Sequence, residues 1–271
     1  MRDSIKTMEL IKELRERSGA GMMDCKKALE EAGNDIDAAM EILRKKGIAK
    51  AAKREGNEAK EGVVELAVNE AGDEGYILEM NSETDFVSKN EKFRDMAKSV
   101  LEVIKTGKPA DMDALMALPM GVSTVKDSID ELSGKIGEKI VLKQFAIVSG
   151  GTVAAYSHMG GKIGVLVALD LAGKAELAGD IAMQVAAANP LYIYPEEVPT
   201  ENIEKEKEIE REVLTKEGKP ANVIDKILEG KVNKYLEGIC LVRQEFIKDD
   251  KKKVEQVLSG AKILSFKRFG A

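Results

Sequence analysis

Residues 61–104 read EGVVELAVNEAGDEGYILEMNSETDFVSKNEKFRDMAKSVLEVI. Two apolar runs of strand period, "EGVVELAVNE" and "YILEMN", flank the turn "AGDEG". After them Phe93, Met96, Ala97, Val100, Leu101 and Ile104 fall at i, i+3, i+4, i+7, i+8 and i+11, the spacing of an amphipathic helix. Two strands leading into one helix point to an α+β fold with antiparallel sheet. The junction "NSETDFVSKNEKF", 81–93, places Phe86 among polar neighbours. An aromatic there either folds back into the core or reaches outward, and the local pattern does not choose. Ser88 and Glu91 match a capping box, so the helix is expected to start at Thr84 or Ser88. Asp85 lies before or within the first turn, where an anion is favoured.

Upstream, residues 1–47 read as three short helices. The first carries Ile5, Met8, Leu10, Ile11 and Leu14 and stops at "SGAG". The second places Met22, Cys25, Ala28, Leu29 and Ala32 on one stripe and ends at Gly33. The third starts after Asn34 or Asp35, presents Ile36, Ala39, Met40 and Leu43 inward, and is expected to end at Gly47. The basic stretch "IAKAAKREGNEAK", 48–60, lacks a broad apolar face and reads as a solvated helix or linker.

Downstream, "TGKPADMDALMALPMG" reads as a loop with a short helix. The pattern then recurs: "KIVLKQFAIVS", "TVAAYSHM" and "KIGVLVALDL" read as three strands joined by glycine turns, followed by a helix stopped at Pro190. From about 200 to 238 the composition turns highly charged and divides at Gly218-Lys219-Pro220. Ile203, Ile209 and Val213 are expected to face Val223/Ile224, Ile227/Leu228 and Tyr235 along the thin seam of an antiparallel helical hairpin. A strand "ICLVRQEFI", a helix "KKKVEQVL" and a last strand "AKILSFKRF" close the chain. The expected domains are therefore a three-helix domain with basic linker at 1–54, a core subdomain at 55–140, and a second at 141–271 that carries the hairpin.

Composition narrows the chemistry. Of 271 residues 44% are apolar and 33% charged, so a substantial core is expected in a soluble, helix-rich chain. The net charge of −6 disfavours general nucleic-acid binding, which draws on dense positive charge. No apolar run reaches membrane-span length and the N-terminus lacks a signal-peptide core, so a cytoplasmic protein is expected. Two cysteines, Cys25 and Cys240, suggest free thiols. A single histidine, His158, rules out a multi-histidine metal site. "GGKIG", 160–164, sits between strand-like runs and reads as a hairpin turn, not a phosphate cradle. No metal, cofactor or catalytic residue is expected.

Two longer stretches carry a resemblance. "LRERSGAGMMDCKKAL", 14–29, and "TDFVSKNEKF", 84–93, resemble the two signature motifs of the elongation factor Ts family, guanine nucleotide exchange factors of the GTPase elongation factor Tu. The order of modules fits along nearly the whole chain. The resemblance implies a ubiquitin-associated-like N-terminal module that docks on the GTPase through Arg15, Met22, Met23 and Lys26, with Arg54 in the linker. It implies that Asp85 and Phe86, flanked by Thr84 and Val87, enter the GTPase and disturb its magnesium and phosphate site. It also implies contacts at Ile136, Gly137 and His158, a contact through the hairpin, and in some relatives a homodimer or two-plus-two complex. The sequence ends at "FKRFGA", so contacts through the further helical C-terminal module of some relatives are not expected.

Plainer readings stand beside these. A junction aromatic such as Phe86 is commonly a core anchor. Arg15 and Lys26 read as surface charges, and His158 beside glycines as a structural or exposed residue. Met22 and Met23 are sequence neighbours that one helix cannot bury equally, so at least one is expected outside, where methionine suits an adaptable interface. Competing functions are a helical adaptor without exchange activity and an enzyme using Cys25 or His158.

Overall fold

The computed structural model describes residues 2–52, 54 and 56–271, with side chains at 7–47, 54, 56–220 and 223–271. It has the α+β character read from residues 61–104. Two compact units are present: Met1–Glu65 with Leu78–Ala146 and Gly270–Ala271, and Leu66–Ile77 with Ile147–Phe269.

The first unit opens with helices α1 (Arg2–Ser18), α2 (Met22–Glu31) and α3 (Ile36–Ala52). Ile11, Leu14, Cys25, Ala28, Leu29 and Ala39 form their buried centre. Met8, expected inside, is instead exposed, and so is Met22, which the sequence reading places both on the apolar stripe of α2 and among the docking residues. The side chain of Ile5 lies outside the described residues. The tight α1–α2 turn is fastened by buried Ser18, whose hydroxyl accepts from the Ala20 amide at 3.1 Å. Helix α3 does not stop at Gly47 but runs on to Ala52, so the expected linker begins as helix. Lys53 and Glu55 of that linker lie outside the described residues.

Strands β1 (Glu61–Val68) and β2 (Glu74–Ser82) form the expected hairpin. The Asn69 side-chain oxygen closes its turn, accepting from the amides of Asp73 and Glu74 at 3.1 and 3.2 Å. Glu79 on β2 is fully buried, and Lys143 Nζ and Gln144 Nε2 each donate to it at 2.7 Å. The junction contains a separate turn of helix, α4 (Asp85–Ser88), before α5 (Glu91–Gly107). The capping box expected at Ser88 does not form. Ser88 Oγ donates to the Asp85 carbonyl at 3.1 Å, and Asn90 caps α5 by accepting from the Lys92 amide at 2.9 Å. The buried face of α5 is the expected one, except that Met96 is only partly covered.

There follow α6 (Met112–Ala117), a small antiparallel pair β3 (Pro119–Met120) and β4 (Ser123–Thr124), and then α7 (Val125–Ile136). Sequence reading missed α7, although its signals are present. Thr124 caps it, accepting from the Asp127 amide at 3.1 Å, while Val125, Ile129 and Leu132 are buried and Gly137 closes it at φ 90°. Gly134 lies against Gly47 so closely that a Cβ at 134 would sit 2.6 Å from the Gly47 Cα. Gly134 is therefore the glycine that the close approach of α7 to α3 requires, while Gly47 lies within α3 and does not end it. Strand β5 (Ile140–Ser149) completes a sheet in the order β1-β2-β5.

Glu65 on β1 is half-buried, and burial pushes its carboxyl above the usual range against the opposing pull of Lys98 and Arg94. A raised folded-state pKa gives a stability contribution that is present at low pH and lost as pH rises through that pKa. Glu65→Gln, which keeps the neutral form, is therefore expected to raise the urea midpoint at pH 7 and change little near pH 4, roughly the ordinary glutamate value. Equilibrium unfolding at the two pH values checks this.

In the second unit β6 (Thr152–His158) pairs antiparallel with β7 (Ile163–Leu169), from Thr152↔Leu169 to His158↔Ile163. Helix α8 (Ala175–Ala188) packs on both strands. Helices α9 (Thr200–Lys216) and α10 (Ala221–Ile239) make the expected hairpin. Its seam is the expected one at Ile224 and Leu228, with Ile227 packed against them, but on α9 it uses Leu214, while Ile209, Val213 and Val223 are exposed. Ion pairs Arg211–Asp225 at 3.0 Å and Lys231–Glu210 at 3.1 Å cross between the helices.

The strand expected over "ICLVRQEFI" does not form as such. Cys240, Leu241 and Val242 are buried in sequence, and the amides of Leu241 and Val242 donate to the carbonyls of Tyr192 and Ile193 at 2.9 and 3.2 Å. That run anchors the end of the hairpin, leaving only β8 (Glu245–Phe246), paired with β9 (Asp249–Lys253), before the single turn α11 (Val254–Val257). The last strand, β10 (Ile263–Gly270), pairs with β7, so the second sheet has the order β10-β7-β6. Its third strand thus comes from the C-terminal end, while β5, read as the neighbour of "TVAAYSHM", belongs with β2. Among the described residues no helix is long and apolar enough to cross a membrane.

Candidate functional site

Phe86 is 84% exposed. Its neighbours are not. Val87 and Ser88, immediately after it, are buried. Thr84, two residues before it, occupies the N-cap of α4, where a threonine hydroxyl ordinarily accepts from its own helix. Here it does not. Thr84 Oγ1 donates to one oxygen of Glu138 at 2.7 Å and the Thr84 amide donates to the other at 3.0 Å. The Thr84 carbonyl accepts from Ser82 Oγ at 3.0 Å. The Ser88 carbonyl accepts from Arg94 Nε at 3.2 Å. The backbone is held on both sides of Phe86, and the ring projects.

A second tie lies one residue earlier. The Glu83 carboxylate accepts from the Lys139 amide and from Asn57 Nδ2, the latter at 3.0 Å. These two hydrogen bonds, Asn57 first, hold its pKa below the usual carboxylate value. Asp85 pairs with Lys89 at 2.7 Å on the surface of α4. Sequence reading named Thr84, Asp85, Phe86 and Val87 but missed Glu83, Asn57, Glu138 and Lys139. Nothing local marks them, because the partners lie 26 to 56 residues apart.

Ile136 and Gly137 stand at the C-terminal end of α7, directly before Glu138. Arg54 is brought to the same place: a Cβ on Gly137 would lie 3.9 Å from its guanidinium Nη2. The structure thus joins Arg54, Ile136 and Gly137 to the support of the Phe86 turn. On the three-helix region Arg15, Met22, Met23 and Lys26 are all exposed. Both methionines at the start of α2 are outside, at 54% and 62%, and Met8 adds a third exposed methionine on α1. His158, in the second unit, ends β6 exposed, with its ring stacked on Tyr156 and Nδ1 3.2 Å from the tyrosine hydroxyl. The next residue, Met159, is exposed in a left-handed turn conformation.

A cleft of about 370 Å³ lies beside α3 and α7, with Met40, Leu43 and Val122 on its wall. Its charged rim is satisfied internally, by Arg44–Asp127 at 3.3 Å and Lys135–Glu131 at 2.7 Å.

What these elements define is an α+β protein whose candidate site is a projecting surface, built on a braced helical turn and flanked by a three-helix region. Comparison with known proteins gives that class a family. The family model described as elongation factor TS matches residues 83–271. The chain is 46% identical to an elongation factor Ts of a Nitratiruptor species, over 96% of this chain and 90% of that protein. It is 47% identical to an elongation factor Ts of Chlorobium phaeobacteroides, over 92% of this chain and 89% of that protein. The chain belongs to the elongation factor Ts family, and its role is that of a translation elongation factor.

Proposed function

We propose that this chain binds the GTPase elongation factor Tu in its GDP form and promotes GDP release by disturbing the magnesium and phosphate site, so that GTP can enter. The observation that carries the reading is the exposure of Phe86 on a turn held by hydrogen bonds at Thr84 before it and by buried Val87 and Ser88 after it. Guanine nucleotides leave such GTPases slowly because magnesium and backbone donors hold the phosphates. An exchange factor performs no covalent step; it binds the nucleotide-free state more tightly than the nucleotide-bound state, and linkage then weakens nucleotide affinity by the same factor. The reading assigns this chain no catalytic residue, cofactor or metal, and no direct contact with nucleic acid or membrane. It places the work in the cytoplasm, with a homodimer or two-plus-two complex as the assembly to test.

In this reading Phe86 is the wedge. A rigid aromatic with its backbone already ordered loses little conformational freedom on insertion. Asp85 and Thr84 offer polar contacts beside it, and Val87 secures its base. Ile136, Gly137 and Arg54 extend the surface, and His158 adds a contact from the second unit. Arg15, Met22, Met23 and Lys26 dock the three-helix region. That docking is uniform binding, so Met22→Ala with Met23→Ala is expected to weaken complex affinity about tenfold to a hundredfold while leaving the release rate at saturation nearly unchanged. Titration of release rate against exchange-factor concentration separates the two quantities.

The test of the function is release of fluorescent GDP from purified elongation factor Tu. The chain is expected to accelerate release at substoichiometric concentration. A rate no faster than spontaneous release sinks the reading and favours an adaptor without exchange activity.

A further inference from the structure

We infer that Glu138 is a positioning residue for the aromatic wedge: its carboxylate fixes the direction in which Phe86 is presented. The inference rests on the reading of Phe86 as a wedge.

Thr84 stands at the N-cap of α4, yet its hydroxyl makes no cap hydrogen bond. Hydroxyl and amide turn together to Glu138, at 2.7 and 3.0 Å. A carboxylate accepting two hydrogen bonds from one residue fixes orientation as well as position. Glu138 is itself held. Its carbonyl accepts from buried Ser133 Oγ at 2.6 Å, and Gly137 before it closes α7 by donating its amide to the Ser133 carbonyl at 2.9 Å. The end of α7 is thereby connected through Glu138 and Thr84 to the turn that carries Phe86.

A turn of four residues has little helical stability of its own. Without Glu138 the Thr84 hydroxyl and amide lose their shared acceptor, and the hold on the N-terminal side of α4 falls to the Ser82 hydroxyl, the Glu83 contacts and the turn's own backbone bonds. The ring then samples a wider cone, and each binding event must order it again. The Glu138 support therefore acts on wedge presentation without touching the partner.

The protein contains no tryptophan, so Phe86→Trp installs a single indole fluorophore at the wedge. Time-resolved anisotropy of that indole in the free full-length chain reads its local motion. In the Phe86→Trp background Glu138→Ala is expected to add a fast, large-amplitude decay. Glu138→Gln is expected to stay near the parent, because the amide oxygen can accept from the Thr84 N–H and the amide nitrogen can donate to Thr84 Oγ1. In the Phe86 chain, Glu138→Ala is expected to slow stimulated GDP release about tenfold, and Glu138→Gln to remain within about twofold. Unchanged indole anisotropy in Glu138→Ala overturns the inference, as does a folded Glu138→Gln chain as impaired as Glu138→Ala. Because anisotropy is read without the partner, failure of the wedge itself is separable. It would appear as full exchange activity in Phe86→Ala while Glu138→Ala still loosens the indole.

Discussion

Gly134→Ala is expected to destabilise the first unit by about 2–3 kcal/mol, whereas Gly47→Ala, at the same helix crossing, is expected to be neutral or slightly stabilising. The asymmetry follows from geometry. A Cβ at 134 would lie 2.6 Å from the Gly47 Cα and 2.8 Å from both its carbonyl carbon and oxygen. Those are backbone atoms, and no side-chain rotation relieves them; α3 and α7 must separate. A Cβ at 47 would approach no closer than 3.9 Å to the Gly134 Cα, an ordinary contact. Alanine also favours helix by about 1 kcal/mol over glycine, which partly offsets the clash at 134 and is a net gain at 47. Gly179→Ala in α8 supplies the control, since a Cβ there meets nothing within 4 Å. Urea unfolding of the three variants should rank Gly134→Ala well below the parent and the other two at or above it. Because α7 leads through Gly137 into Glu138, the same variant should also loosen the support of Phe86.

Phe86→Ala is expected to leave folding almost untouched and to slow stimulated GDP release about 30- to 150-fold. The first half follows from exposure: at 84% the ring contributes little to the core, and a surface change of this kind stays within about 0.5 kcal/mol. The second half follows from burial in the partner. Inserting a phenylalanine is worth about 2–3 kcal/mol, and each 1.4 kcal/mol is tenfold in an equilibrium or rate. Few substitutions separate stability from function so widely, so the pair of measurements discriminates between a contact residue and a core anchor.

Much of the fold was legible from local pattern. The period-two runs became β1 and β2, the i, i+3, i+4 spacing became α5, and Gly218-Lys219-Pro220 marked the turn between α9 and α10. Failures arose where long-range contact overrode the local signal. Gly47 resembled a helix end because a glycine after an apolar stripe is a common stop, yet α3 runs through it and packs its backbone against α7 at Gly134. "ICLVRQEFI" resembled a strand because its apolar run is spent on anchoring the hairpin through Tyr192 and Ile193. Sheet membership was not legible, since β5 and β10 choose partners distant in sequence. Missing α7 was a different failure: the Thr124 cap and the buried Val125, Ile129 and Leu132 were there to be read.

The site shows the same division. The candidate residues Thr84, Asp85, Phe86 and Val87 were legible as the "TDFV" motif, but not the orientation of the ring. By local pattern alone an aromatic at such a junction is more often a core anchor than a contact. In the structure Phe86 is exposed, Val87 and Ser88 are buried, and Thr84 is tied to Glu138, 54 residues away. The seam of the hairpin likewise shifted from Ile209 and Val213 to Leu214, because small differences in helix rotation change which face meets its partner.

The most direct test of the wedge is fluorescent GDP release from elongation factor Tu across a concentration series of wild-type chain and Phe86→Ala, with thermal unfolding of both recorded alongside. The expected result is a matching unfolding midpoint and a plateau release rate at least tenfold lower for Phe86→Ala. A folded Phe86→Ala chain that reaches the wild-type plateau contradicts the account.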